Sequence, residues 1–180
     1  MRLAPSFAYA IVSSALLSSA CSSVLAKGDG RAIGDDLGRF SIDATLRDTT
    51  CGPDAPGALS GTKFDVFLSE APPRVYWNSG PDSVEGDLDE DGVHFDFQSE
   101  TVVALPGAES AAETCTIVRT DTASGAFDDA KTVTKLHGTL EYHFAVQGRS
   151  DCTAEAPAQG FAALPCRLLY DMKGEYVSAR

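Results

Sequence analysis

Leu136-His137-Gly138-Thr139-Leu140-Glu141-Tyr142-His143-Phe144-Ala145-Val146 decides the fold class of this 180-residue chain. Leu136, Gly138, Leu140, Tyr142, Phe144 and Val146 share one parity, while His137, Thr139, Glu141, His143 and Gln147 share the other. Successive side chains of a strand point to opposite faces, so a sustained period of two predicts a half-buried strand and not a helix. The same pattern recurs on either side. Phe40, Ile42, Ala44 and Leu46 alternate with Ser41, Asp43, Thr45 and Arg47, and Phe64, Val66 and Leu68 follow with only Phe67 breaking the polar face. Val75 and Trp77 come next, then Val93, Phe95 and Phe97, then Cys115, Ile117 and Arg119 against Thr116 and Val118. Leu168, Tyr170 and Met172 close the series.

Turn chemistry separates these runs: Cys51-Gly-Pro-Asp-Ala-Pro-Gly, Ala71-Pro-Pro, Asn78-Ser-Gly-Pro, Asp89-Glu-Asp-Gly, Pro106-Gly and Ser124-Gly. Gly, Pro, Asn and Asp supply the backbone angles that reverse a chain, and no stretch between them has a helical period. The expected fold is all-β, an antiparallel β-sandwich of about eight strands. The alternative is a closed lipocalin-like β-barrel, in which Leu136, Leu140, Tyr142, Phe144 and Leu168 line a pocket.

The amino terminus reads as an export signal. Arg2 supplies a positive start, Phe7 to Leu17 is apolar apart from Ser13 and Ser14, and Ser18, Ser19 and Ala20 are small. That apolar run is shorter than the roughly 20 residues a bilayer span needs, and no later run is longer. Leu16-Leu17-Ser18-Ser19-Ala20-Cys21 resembles the lipobox of bacterial lipoproteins, with Leu17 four residues before the cysteine where three is usual. The chain as a whole resembles uncharacterised bacterial lipoproteins through residues 2–23 and a cysteine-paired β domain. That resemblance implies a palmitate-type lipid on Cys21, cleavage before it and, with Ser22 next, the outer membrane. Val24-Leu25-Ala26 offers ordinary cleavage after Ala26 as the alternative, leaving a soluble periplasmic or secreted protein. Residues 1–20 are then the signal peptide, 21–37 a Gly/Ser/Asp-rich tether and 38–180 the all-β domain.

Five cysteines are an odd number for an exported chain, and either cleavage removes Cys21 from the count. Cys51, Cys115, Cys152 and Cys166 remain for two disulfides in an oxidising compartment. Three connectivities are open, and Cys51–Cys115 with Cys152–Cys166 is the favoured one. No Cys-x-x-Cys spacing suggests zinc or thiol redox chemistry. The net charge is −12, from 26 acids and 14 bases. Residues 1–20 carry one base and no acid, so their removal leaves the chain more acidic still. Such a surface repels phosphate backbones and anionic lipid, which argues against nucleic acid and against any membrane contact beyond the lipid anchor.

Four constellations invite a functional reading. Asp87-Leu-Asp-Glu-Asp-Gly92 starts like a calcium loop, with Asp87, Asp89 and Asp91 at alternate positions, but Gln98 stands where the bidentate Glu belongs. An acidic hairpin turn explains it better. Glu141 and His143 are neighbours on one strand face, with His94 and Asp96 as candidate third ligands. His137, about 20 Å from His143, cannot join them. Thr153 to Pro165, apolar and almost uncharged, reads as a lid over one end of the fold or as a partner surface. Trp77 beside Arg74 and Tyr76 reads as core. No hydrolase elbow, zinc helix or phosphate loop is present, and no cofactor is implied. The expected function is a non-enzymatic cell-envelope lipoprotein whose β domain binds a partner or plays a structural role. A lipocalin-like carrier of an apolar ligand is the alternative.

Overall fold

The structure, a computed structural model, describes residues 33–78, 83–105 and 115–179. The signal peptide, Cys21 and most of the tether lie outside the described residues. Eight strands follow in order: β1 Asp35–Thr49, β2 Gly61–Ala71, β3 Arg74–Asn78, β4 Ser83–Leu88, β5 His94–Ala104, β6 Thr116–Phe127, β7 Lys135–Val146 and β8 Cys166–Ser178. One turn of helix, α1 Glu155–Ala158, lies between β7 and β8. Strand β1 begins inside the stretch 21–37 read as tether, because Asp35 and Asp36 pair with Glu70 and Ser69 of β2.

Each strand pairs antiparallel with its neighbour in sequence, and β8 returns to β1 to close a barrel. The closing ladder runs from Arg39↔Ser178 to Thr49↔Leu168. The sandwich is therefore corrected to its stated alternative. Alternation alone could not separate the two, since both bury one face of every strand; the β1–β8 hydrogen bonds make the difference by leaving no free sheet edge.

One end of the barrel is densely filled. Phe40, Ile42, Val66, Leu68, Val75, Leu88, Phe95, Phe127, Leu136 and Met172 are buried there. Phe95 lies 4.9 Å from Phe127 between ring centroids. This end carries the connections β2–β3, β4–β5 and β6–β7. Glycine makes close approach possible there. A Cβ on Gly138 would stand 2.1 Å from the Ser124 carbonyl oxygen and 2.7 Å from the Cα of its β6 partner Gly125. Two strands can come this near only without side chains, which permits the sharp coiling that closure demands.

The other end carries the longer connections. Residues 50–60 and 147–165 pack on one another there, with the Ala162 amide donating to the Cys51 carbonyl at 2.7 Å. Disulfides Cys51–Cys166 and Cys115–Cys152 fix them. The pairing differs from the favoured connectivity: Cys152 is joined to Cys115, just before β6, and Cys166 to Cys51 in the β1–β2 connection. The segment between them is thus held at both ends by separate parts of the barrel. Its Ala156 and Phe161 are buried, and Phe161 meets Phe144 at 5.2 Å, so it is a lid.

Candidate ligand site in the barrel

The lid covers only part of its end. The Tyr170 hydroxyl donates to the Gly57 carbonyl, and Phe161 sits on Phe144, which places the cover over β7, β8 and β1. On the opposite side the wall is low, because β3 has five residues and β4 six, against 11 to 15 in the other strands. An open cavity of about 350 Å³ lies here. Its walls are inward-facing residues of β2 to β7: Phe64, Trp77, Val84, Phe97, Leu140 and Tyr142, with Ala123 leaving room. Trp77 and Phe97 pack edge to face at 5.5 Å, and Phe64 flanks Trp77 at 6.2 Å. Eight-stranded barrels have interiors of the size that holds one small ligand, and apolar walls with a few polar groups are the usual lining.

The polar groups of this cavity are Ser99, Arg119 and Asp121. Arg119 and Asp121 stand two residues apart on β6 and so share its inner face. The Arg119 Nε–H and Nη2–H donate to the two oxygens of Asp121 at 2.7 and 2.6 Å, a two-point ion pair. The guanidinium also lies 5.3 Å from the centre of the Tyr142 ring. Burial, and after it the Asp121 charge, push the Tyr142 phenol above its ordinary range. Arg119 and Tyr142 further line a second cavity of about 280 Å³ under the lid, with Gly57, Ile117, Phe144 and Phe161.

The residues expected to line a barrel pocket divide. Leu140, Tyr142 and Phe144 do so, while Leu136 and Leu168 belong to the filled core. Trp77 is core-buried, as expected, and also part of the cavity wall. Arg119 shares the face of Ile117 in the alternation, but neither it nor Asp121 is among the site residues expected from the sequence. A charge on an otherwise apolar strand face was the signal for this site, joined by Asp121 at the same parity.

The other constellations stay on the outside. Asp87 is a β4 residue turned toward Arg74, with which it forms an ion pair, away from the β4–β5 turn. Asp89, Asp91 and His94 do converge, their ligand atoms lying within 4.8 Å of one another on an exposed surface. Turn formation accounts for the arrangement. Asp91 accepts from the Val93 and His94 amides at 2.8 and 3.3 Å and from the His94 ring at 2.9 Å, which holds its carboxyl below the usual range. Strand register separates the remaining candidates. Glu141 and His143 lie level with Thr122 and Thr120 on β6, and so with Gln98 and Glu100 on β5. His94 and Asp96 lie level with His137 and Thr139 instead. Among the described residues no third ligand joins Glu141 and His143.

Fold and cavity together define a small up-and-down antiparallel barrel with one filled end and one ligand-sized chamber. No protein-family model matches the chain, and no curated protein or solved structure shows significant similarity to it. The two disulfides are consistent with an exported protein.

Proposed function

We propose that this protein is a non-enzymatic carrier, held at the bacterial cell envelope by a lipid on Cys21, whose barrel takes one small and largely apolar ligand. The observation that carries this reading is the chamber of about 350 Å³ walled by Phe64, Trp77, Val84, Phe97, Leu140 and Tyr142. Packed at the ~0.75 density of protein interiors, it accommodates a ligand of about 15 non-hydrogen atoms. The apolar wall supports uptake through the hydrophobic effect, and the filled opposite end makes the chamber a pocket and not a pore. Among the described residues the chamber's one acid and one base are paired with each other, which suits recognition better than proton transfer.

Trp77 is the only tryptophan of the chain, so its fluorescence reports on this wall alone. Titration with the apolar probe N-phenyl-1-naphthylamine is expected to quench Trp77 saturably. Ala123→Leu, which fills the chamber from β6, is expected to weaken the probe by about tenfold or more, the factor that ~1.4 kcal/mol represents. Native mass spectrometry of protein purified from its host provides the second arm. Unaltered Trp77 emission together with no copurifying small molecule would refute the carrier.

A further inference from the structure

We propose that the chamber recognises the oxygen of an uncharged carbonyl compound, a ketone, ester or quinone with an apolar body, in preference to a carboxylate. The inference rests on the carrier reading and names its ligand class. It begins with how Arg119 is used. A guanidinium carries five N–H donors in a fixed fork. Two of them go to Asp121, one from Nε and one from Nη2. Among the described residues Arg119 makes no other hydrogen bond, and its side chain keeps 41% of its surface exposed. Arg119 lines both cavities. Tyr142 beneath it and Asp121 beside it hold the fork in one orientation, so an acceptor arriving there loses little to reordering. Ser99 adds a hydroxyl to the same wall.

Charge then decides between kinds of acceptor. An unpaired guanidinium beside an apolar chamber would draw an anion by Coulomb attraction, even half-exposed as Arg119 is. Here Asp121 already supplies that anion, and among the described residues no other charged one lines the larger chamber. A ligand carboxylate would be drawn to Arg119 and repelled by Asp121 over similar distances, while giving up its own hydration. The surrounding chain, at −12, adds to the repulsion. A carbonyl oxygen avoids both costs. It accepts from the spare N–H groups, which remain charge-assisted donors, and it leaves the Arg119–Asp121 pair intact.

The test compares three ligands with one skeleton, 2-decanone, decanoate and decane, by displacement of N-phenyl-1-naphthylamine and by Trp77 emission at neutral pH. Wild-type protein is expected to bind the ketone about tenfold or more tighter than decanoate, a factor worth ~1.4 kcal/mol. Asp121→Asn frees the guanidinium charge, and the ketone-to-decanoate ratio is expected to fall by about tenfold. Arg119→Met is expected to remove the ketone's advantage over decane. Circular dichroism of each variant checks the fold, and the wild-type ratio stands even where a variant fails to fold. A wild-type protein that prefers decanoate, or a ratio that Asp121→Asn leaves unmoved, overturns the inference while the carrier survives. If neither the probe nor any of the three ligands binds folded wild type, it is the carrier reading that falls.

Discussion

At the β6–β7 turn, the Asp128 carboxylate accepts from the Thr134 amide at 3.0 Å, the Thr134 hydroxyl at 2.6 Å and the Lys135 amide at 3.0 Å. These bonds stabilise the charged form and hold the group at about 2, well under the ordinary 3.8. With the folded pKa depressed, the contribution of Asp128 is complete above the ordinary value and is lost as pH falls through about 2. A carboxyl NMR titration is expected to show its midpoint near 2, and Asp128→Asn should raise turn mobility at neutral pH but not at the acid end. A midpoint near 3.8 would contradict the turn geometry. The contrast with Arg119 and Asp121 is instructive. Both pairs of groups follow from parity along β6 or position in a turn, yet the ligand role proposed for Arg119 depends on what faces it. Tyr142 meets it from β7 and Ser99 lies on β5, and neither relation is written locally in the chain.

Among the elements, β4 is the strand that the alternating runs of the sequence do not include. Its inward positions are Val84, Gly86 and Leu88, and the glycine interrupts the apolar pattern. Packing explains that glycine, since a Cβ there would stand 2.4 Å from the Phe97 ring. Strands β3 and β4 are short, which opens the chamber. The glycine pair Gly125 and Gly138 is the corresponding device for coiling β6 against β7. Gly138→Ala is expected to lower stability by about 1–3 kcal/mol, as overpacking does, with the loss visible in urea unfolding. An unchanged midpoint would show that the strands can separate there at no cost. The Asp87 to Gly92 motif is explained at this scale too. Its first two residues complete β4, and the rest forms the turn to β5, with Gly92 at φ +69°.

For the whole molecule, two long-range staples join the lid to the barrel. They span 115 and 37 residues, and loop-closure entropy assigns such links about 5 and about 4 kcal/mol. Both bind the end of the barrel that holds the cavities, so the lid and the chamber walls keep their spacing. At this scale belongs the lipid anchor proposed at Cys21. A fatty-acid probe fed to bacteria expressing the full chain is expected to label the wild type and not Cys21→Ala; a labelled Cys21→Ala protein would sink the lipid attachment. Strand alternation, turn chemistry and cysteine parity determined from the sequence alone that the domain is all-β, that its strands are antiparallel and that four cysteines pair. These are local properties, set by side-chain period and backbone preference within a few residues. Barrel closure, the partners of Cys51 and Cys115, and the meeting of Trp77, Arg119, Asp121 and Tyr142 around one chamber were decided only by the tertiary structure. Each depends on contacts between residues far apart in the chain, above all the β1–β8 ladder, and alternation is the same whether or not that ladder forms.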